Sequence, residues 1–194
     1  GYKVDAVYTS VLKRAVTSTM VLLAELRQTY RPVVKDWRLN ERHYGALQGL
    51  SKARLAKELG GDKATRIRAS FDDRPPEMPA DHTLSPLRER KYDGVARERI
   101  PLAESLRDCL ERVRPLWHEN IRKDLLAGHD VLVVAHGNSL RGLVKEIDGS
   151  DDSAIEKGVG HVHAAFTEAR PEGISETLDV FNDEMIRRAR NRER

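Results

Sequence analysis

Residues 131–142, VLVVAHGNSLRG, are the stretch that most narrows the fold of this chain. An unbroken apolar run ends on His136, passes Gly-Asn-Ser and continues into residues with helical periodicity. A strand that is apolar at every position, rather than at every second one, is covered on both faces. That condition is met where helices pack on both sides of a mainly parallel sheet. The N-terminal region shows the same order: VDAVY at 4–8 predicts a strand, and Thr9 or Ser10 offers an N-cap for a helix carrying Leu12, Ala15, Val16, Leu22, Leu23 and Leu26.

The rest of the chain fits between and after these two units. VVKDW, after Pro32, predicts another strand, and RLNERHYGALQGLSK has the composition of a loop leading into a short helix at 51–59. Residues 72–99 hold Pro75, Pro76, Pro79 and Pro86 among charges without a clear period, and read as a long excursion. From Pro101 the apolar positions Leu102, Leu106, Cys109, Leu110, Val113, Trp117, Ile121 and Leu125 keep helical spacing. Pro115 should bend or interrupt that helix, and Gly128 is placed to end it. A helix at about 139–147 follows His136, then a strand near HVHAAFTEA, a turn at RPEG and the basic tail MIRRARNRER. The expectation is an α/β fold, a mostly parallel sheet with helices on both faces. It forms one domain over 1–182, with 183–194 as a tail.

Composition limits the function classes. With 194 residues, 34% charged and a formal net charge of +3, the chain has an ordinary mixed-sign surface. It gives no whole-chain reason to expect nucleic acid, and the basic tail, with no aromatics interleaved, reads as a solvated end. The single cysteine excludes an intramolecular disulfide and a four-thiolate zinc site. No apolar stretch approaches the roughly 18 residues of a membrane span, and GYKVDAVYTS lacks the regions of a signal peptide. A cytoplasmic protein with no membrane contact is expected. His161 and His163 share one strand face, but without acidic or thiol neighbours in ligand spacing they do not predict a metal.

In parallel α/β sheets ligands collect at the carboxyl ends of the strands, where Ser10 and His136 fall. Gly137 permits close backbone approach, and the amides of Asn138 and Ser139 at a helix start suit an anion. Arg14, one turn into the first helix, can aim a guanidinium at the same edge, and guanidinium suits bidentate phosphate or carboxylate recognition. Glu41 lies in NERHYG beside Arg42, His43 and Tyr44, where a carboxylate in a cationic cleft can exchange a proton with a substrate hydroxyl. Lys52 and Arg68 would add positive charge. Taken singly, each has a plainer reading: a capped histidine, a surface ion pair, a solvated loop charge.

Together, YTSVLKRA, LNERHYGALQGL, IPLAESL and VVAHGNSLRGLVK closely resemble the bisphosphoglycerate-dependent phosphoglycerate mutases of the histidine phosphatase superfamily. The likeness runs almost continuously from Gly1 to about Asp148. It implies interconversion of 3- and 2-phosphoglycerate through a phosphohistidine, with 2,3-bisphosphoglycerate as the priming phosphoryl donor, no metal, and a small phosphorylated substrate. By the same resemblance Glu41 is the proton donor and acceptor, and His136 stabilises charge on the transferring phosphoryl. Arg14, Arg42, His43, Tyr44, Lys52, Arg68, Gly137 and Asn138 fall at positions that bind phosphate or carboxylate. The family often dimerises, so a homo-oligomer is compatible with it.

Three departures stand out. The family's nucleophilic histidine lies in an Arg-His-Gly motif after the first strand, and no such motif occurs in these 194 residues. Ala69 stands where a second arginine usually follows the one matched by Arg68, and VGHVHAAF replaces a Pro-Thr-Gly segment. The first strand of this fold is central, so its absence would leave buried edges unpaired. The expectation is therefore that upstream residues carry the histidine; a sheet rearranged or repaired by a partner is the alternative. The rival functional reading is a catalytically inactive relative that binds phosphorylated ligands or a protein.

Overall fold

The computed structural model describes residues 3–51, 70–148 and 179–181, together with positions 54, 57, 60, 66 and 67. Four strands, β1 (Ala6–Thr9), β2 (Val33–Lys35), β3 (Val131–Val134) and β4 (Asp179–Phe181), form one sheet in the order β2-β1-β3-β4. Every pairing is parallel, with Val7 opposite Val33 and Leu132, and Val133 opposite Val180. Their helical partners are α1 (Lys13–Glu25), α2 (Leu106–Leu116), α3 (Arg122–Leu126) and α4 (Gly137–Asp148).

Alternation along the central strands explains why helices cover both faces. Val7, Leu132 and Val134 point to one side and pack with Val4 and with Leu23 of α1. Tyr8 and Val133 point to the other, against Val113, Leu116, Trp117 and Ile121 and against Leu140 and Leu143 of α4. Each aliphatic side chain buried in this way contributes about 1.5–3 kcal/mol of transfer free energy. The two-sided burial expected from the run VLVVA is thus present, with Leu132, Val133 and Val134 all at 2% exposure or less.

Helix α2 begins where its cap dictates. Ser105 Oγ accepts the Asp108 amide at 3.1 Å and Asp108 Oδ2 accepts the Ser105 amide at 2.7 Å, a capping box that satisfies two otherwise orphaned donors. Pro115 sits inside this helix, and the backbone answers with a wider π turn over Trp117–Ile121 before α3. The chain leaves α3 through Gly128, whose φ of +83° is left-handed.

Several expectations shift. β1 starts at Ala6 rather than at residue 4, and α1 is capped at Leu12 rather than at Thr9 or Ser10. The excursion at 72–99 is packed rather than loose: it runs through short 3-10 turns and buries Met78 and Tyr92. β1 is paired by β2 and β3, and β3 by β1 and β4, so neither of these inner strands has the unpaired edge that was expected. Of the helix expected at 51–59, positions 51, 54 and 57 are described, and 54 and 57 are helical. Lys52, Arg68, Ala69, the strand proposed near 161–169 with His161 and His163, and the basic tail lie outside the described residues. Among the described residues no helix is long and apolar enough to cross a membrane.

Candidate functional site

Parallel pairing in register brings the carboxyl ends of β1 and β3 side by side, Thr9 opposite Val134, and the loops that leave them carry Ser10 and His136. Ser10 Oγ lies 2.8 Å from His136 Nε2, and Arg14 Nε donates to His136 Nδ1 at 3.1 Å. A guanidinium can only donate, so Nδ1 is the acceptor and the ring proton sits on Nε2, directed at Ser10. Ser10 Oγ also accepts the Leu12 amide at 3.1 Å. In this tautomer His136 is no base for Ser10; it is a neutral N–H donor. Burial, with the positive charges of Arg14 and then Arg112, pushes its pKa down from 6.5 to about 3.

The second half of the site comes from the loop after β2. Asn138, in the first turn of α4, donates through Nδ2 to Glu41 Oε1 at 2.8 Å, and the Arg42 amide donates to the same oxygen at 2.8 Å. Tyr44 OH lies 3.3 Å from Asn138 Nδ2. Arg42 is 2% exposed, donates to the Ile67 carbonyl at 3.0 Å and stacks over the Tyr44 ring, 4.6 Å from its centroid. Gly45 makes the tight turn beyond: its φ is +58°, and a Cβ there would meet the Pro76 carbonyl oxygen at 2.0 Å.

The structure therefore brings together Arg14, Glu41, Arg42, Tyr44, His136, Gly137 and Asn138. His43 is adjacent in sequence, but its ring is engaged within the loop: Nδ1 accepts the Gly45 amide at 3.1 Å and the ring bonds the Leu102 carbonyl. Burial lowers its pKa, against the opposing pull of Glu104. Ser10, expected only as an N-cap and a strand end, and Asn40, not expected at all, complete the framework. Ser10 is the direct partner of His136, and Asn40 ties both loops together, accepting the Val11 amide at 3.1 Å and donating to Tyr92 OH at 3.0 Å. Asn40 stands inside LNERHYG and Ser10 inside YTS, so their places in the motifs were the available signal. A cavity of about 420 Å³, bounded by Trp37, Arg74, Ile100, Leu102 and Arg112, lies behind the Trp37–Leu39 turn; Ser10, Glu41 and His136 do not line it.

Fold and site define a class: a parallel α/β protein that presents a buried histidine, an arginine and the amides of a helix start at the carboxyl ends of its strands, an arrangement suited to anions. A family model of the histidine phosphatase superfamily (branch 1) matches residues 1–95 and 79–184. The chain belongs to this superfamily, and within it to the bisphosphoglycerate-dependent phosphoglycerate mutase family. It is 47% identical over 155 residues to the 2,3-bisphosphoglycerate-dependent phosphoglycerate mutase of Staphylococcus carnosus (strain TM300), covering 80% of this chain and 68% of that protein. The protein of the same description from Nitratidesulfovibrio vulgaris (strain DSM 19637 / Miyazaki F) is 45% identical over 157 residues, covering 81% and 63%. The chain thus spans about two thirds of the length of these relatives. Among solved structures, the native mycobacterial glucosyl-3-phosphoglycerate phosphatase superposes with a TM-score of 0.54 at 22% identity, covering 84% of this chain and 64% of that one. A mycobacterial hydrolase gives 0.55 at 22%, covering 78% and 60%. At these identities the two structures speak for the fold.

Proposed function

We propose that these residues form the substrate-binding and acid–base part of a phosphoglycerate mutase site, which interconverts 3- and 2-phosphoglycerate by phosphoryl transfer primed with 2,3-bisphosphoglycerate. The observation that carries the reading is the 2.8 Å bond from Asn138 to Glu41, 97 residues apart, which sets a carboxylate beside the helix start that follows His136. Phosphoryl transfer depends mainly on positioning and on donors around the equatorial oxygens. Arg14 supplies charge, the amides of Gly137 and Asn138 at the start of α4 supply a fixed dipole, and His136 supplies a neutral Nε2–H. A phosphoryl oxygen arriving beside Nε2 takes the place of Ser10 Oγ as acceptor, and its negative charge draws the imidazole toward the protonated form. Glu41, held by Asn138 and the Arg42 amide through one oxygen, keeps the other oxygen for the substrate hydroxyl.

The phosphoacceptor histidine is assigned to no residue among these 194, and the reading places it on a segment ahead of residue 1. Lys52 and Arg68 are carried in the proposal as further phosphate contacts. The protein acts in the cytoplasm on a small phosphorylated substrate, and a homo-oligomer is compatible with the reading. Titration of the chain with 3-phosphoglycerate, followed by calorimetry, tests it: binding is expected, weakened at least about tenfold in Arg14→Ala by loss of a charge-assisted contact. Absence of binding at millimolar ligand, or equal affinity for the variant, sinks the proposal. In a form carrying an Arg-His-Gly segment ahead of residue 1, labelled bisphosphoglycerate should leave an acid-labile label.

A further inference from the structure

We propose that Glu104 and Arg112, neither of them part of the anion site, are positioning residues that fix where the Glu41 carboxylate stands. The catalytic meaning of this role rests on the reading of Glu41 given above, whereas the mechanical coupling does not. The two side chains are 3% and 7% exposed and form a fork: Arg112 Nε donates to Glu104 Oε1 at 2.6 Å and Arg112 Nη2 donates to Oε2 at 2.9 Å. Buried charges persist where donors and acceptors are used, and here, apart from a 3.4 Å contact of Arg112 Nη2 with Cys109 Sγ on its own helix, the remaining capacity goes to one loop.

Arg112 Nη1 donates to the Arg38 carbonyl at 2.6 Å and the Trp37 carbonyl at 3.2 Å, and Nη2 reaches the Asn40 carbonyl at 3.1 Å. Glu104 closes the other end: Oε2 accepts the His43 amide at 2.9 Å, while the Glu104 amide donates to the His43 carbonyl at 2.8 Å. The pair therefore grips residues 37, 38 and 40 on one side of Glu41 and residue 43 on the other. Only Glu41 and Arg42 lie between the two grips. The backbone of Glu41 has little freedom to move relative to α2, and its side chain meets Asn138 as a consequence. The planar fork matters: a lysine at 112 supplies a point charge that cannot span a carboxylate and carbonyls from three residues at once. Helix α2 is itself held in register by the Ser105–Asp108 box one residue beyond Glu104.

The readout is the Asn138 side-chain amide in a ¹⁵N-labelled full chain, because its bond to Glu41 makes its resonance follow the Glu41 carboxylate as pH is varied. In Glu104→Gln, which keeps the shape and loses one acceptor, that pH response is expected to shrink at least twofold and the resonance to move toward the free-amide position. Arg112→Lys should do the same, with charge retained and no rescue. A purely structural role predicts the opposite pattern: lowered melting temperature with the Asn138 response unchanged. That result overturns the proposal. If neither variant folds, hydrogen exchange on the unaltered chain decides it. The His43 amide should exchange within about tenfold of the slowest α2 amides, and exchange a thousandfold faster overturns the coupling. Separately, failure of 3-phosphoglycerate to bind the unaltered chain refutes the mutase reading and leaves the Asn138 measurement standing.

Discussion

Lowering the pH should unfold this protein partly through one side chain, His136. In the unfolded chain an imidazole takes up a proton below its ordinary 6.5; in the folded protein His136 stays neutral down to about 3, because it is buried beside Arg14 and Arg112. Between those values the unfolded state binds more protons than the folded one, so stability falls as pH drops through 6.5 and stops falling on this account below about 3. Each unit is about 1.36 kcal/mol, so by pH 4.5 the loss from His136 is about 3 kcal/mol, a large share of a small domain's stability. Urea unfolding at pH 7.0 and 4.5 measures it, with His136→Asn as the reference: the variant cannot titrate, while every other group titrates in both proteins and cancels. The stability difference between the two proteins should therefore shift by about 3 kcal/mol in the variant's favour on acidification. Parallel pH dependences would refute the reasoning, as would an imidazole resonance of His136 with its midpoint near 6.5.

Two further outcomes follow from the site. In a form able to make the phosphoenzyme, Glu41→Gln should slow mutase turnover about 100-fold or more, in line with general acid–base contributions, and near-normal turnover removes Glu41 from that role. Gly45→Ala should lower unfolding free energy by at least about 2 kcal/mol, since a left-handed φ is combined with a methyl group placed 2.0 Å from the Pro76 carbonyl oxygen; stability within about 0.5 kcal/mol of the parent in urea contradicts that geometry.

The central strands were legible in the sequence because two-sided burial leaves an apolar run, unbroken in VLVVA and interrupted only by Asp5 in VDAVY. Their ends were less so. Val4 looks like strand, yet its amide is spent on the Gln28 side chain at 2.9 Å, and the ladder to β3 opens only with the Ala6 amide donating to the Asp130 carbonyl at 3.2 Å. Ser10 reads as an N-cap by residue type, but its hydroxyl receives His136 and the Leu12 amide, so the helix starts later. β4 is three residues long, too short for a period to register. Tyr92 and Met78 lie among prolines and charges, a composition that reads as loop, and only the packed structure shows that Tyr92 closes over Asn40. Glu104 stands inside IPLAESL with no sign there of its partner, and Arg112 was missed for a related reason. A charge on an amphipathic helix is usually solvated, and burial of this pair depends on the backbone carbonyls brought against it from 37–40. The charged motif residues stand out in sequence, whereas the contacts by which Ser10, Asn40, Glu104 and Arg112 hold them do not.

The hydrogen bonds that build the site bind early and late parts of the chain together: Ser10 to His136 across 126 positions, Arg14 to His136 across 122, and Glu41 to Asn138 across 97. Contacts of such separation form late, after the entropy of closing long loops has been overcome. During synthesis, Ser10, Arg14 and Glu41 emerge from the ribosome with nothing to face, and until β3 and the first turn of α4 follow them, β1 lacks its inner neighbour. Fragments that end before Val131 carry Ser10, Arg14 and Glu41 without the partners His136 and Asn138, and so complete neither half of the site. Any nascent chain stalled there exposes the apolar faces of β1 and α1, which makes the interval before β3 arrives the one in which this protein most needs protection from aggregation.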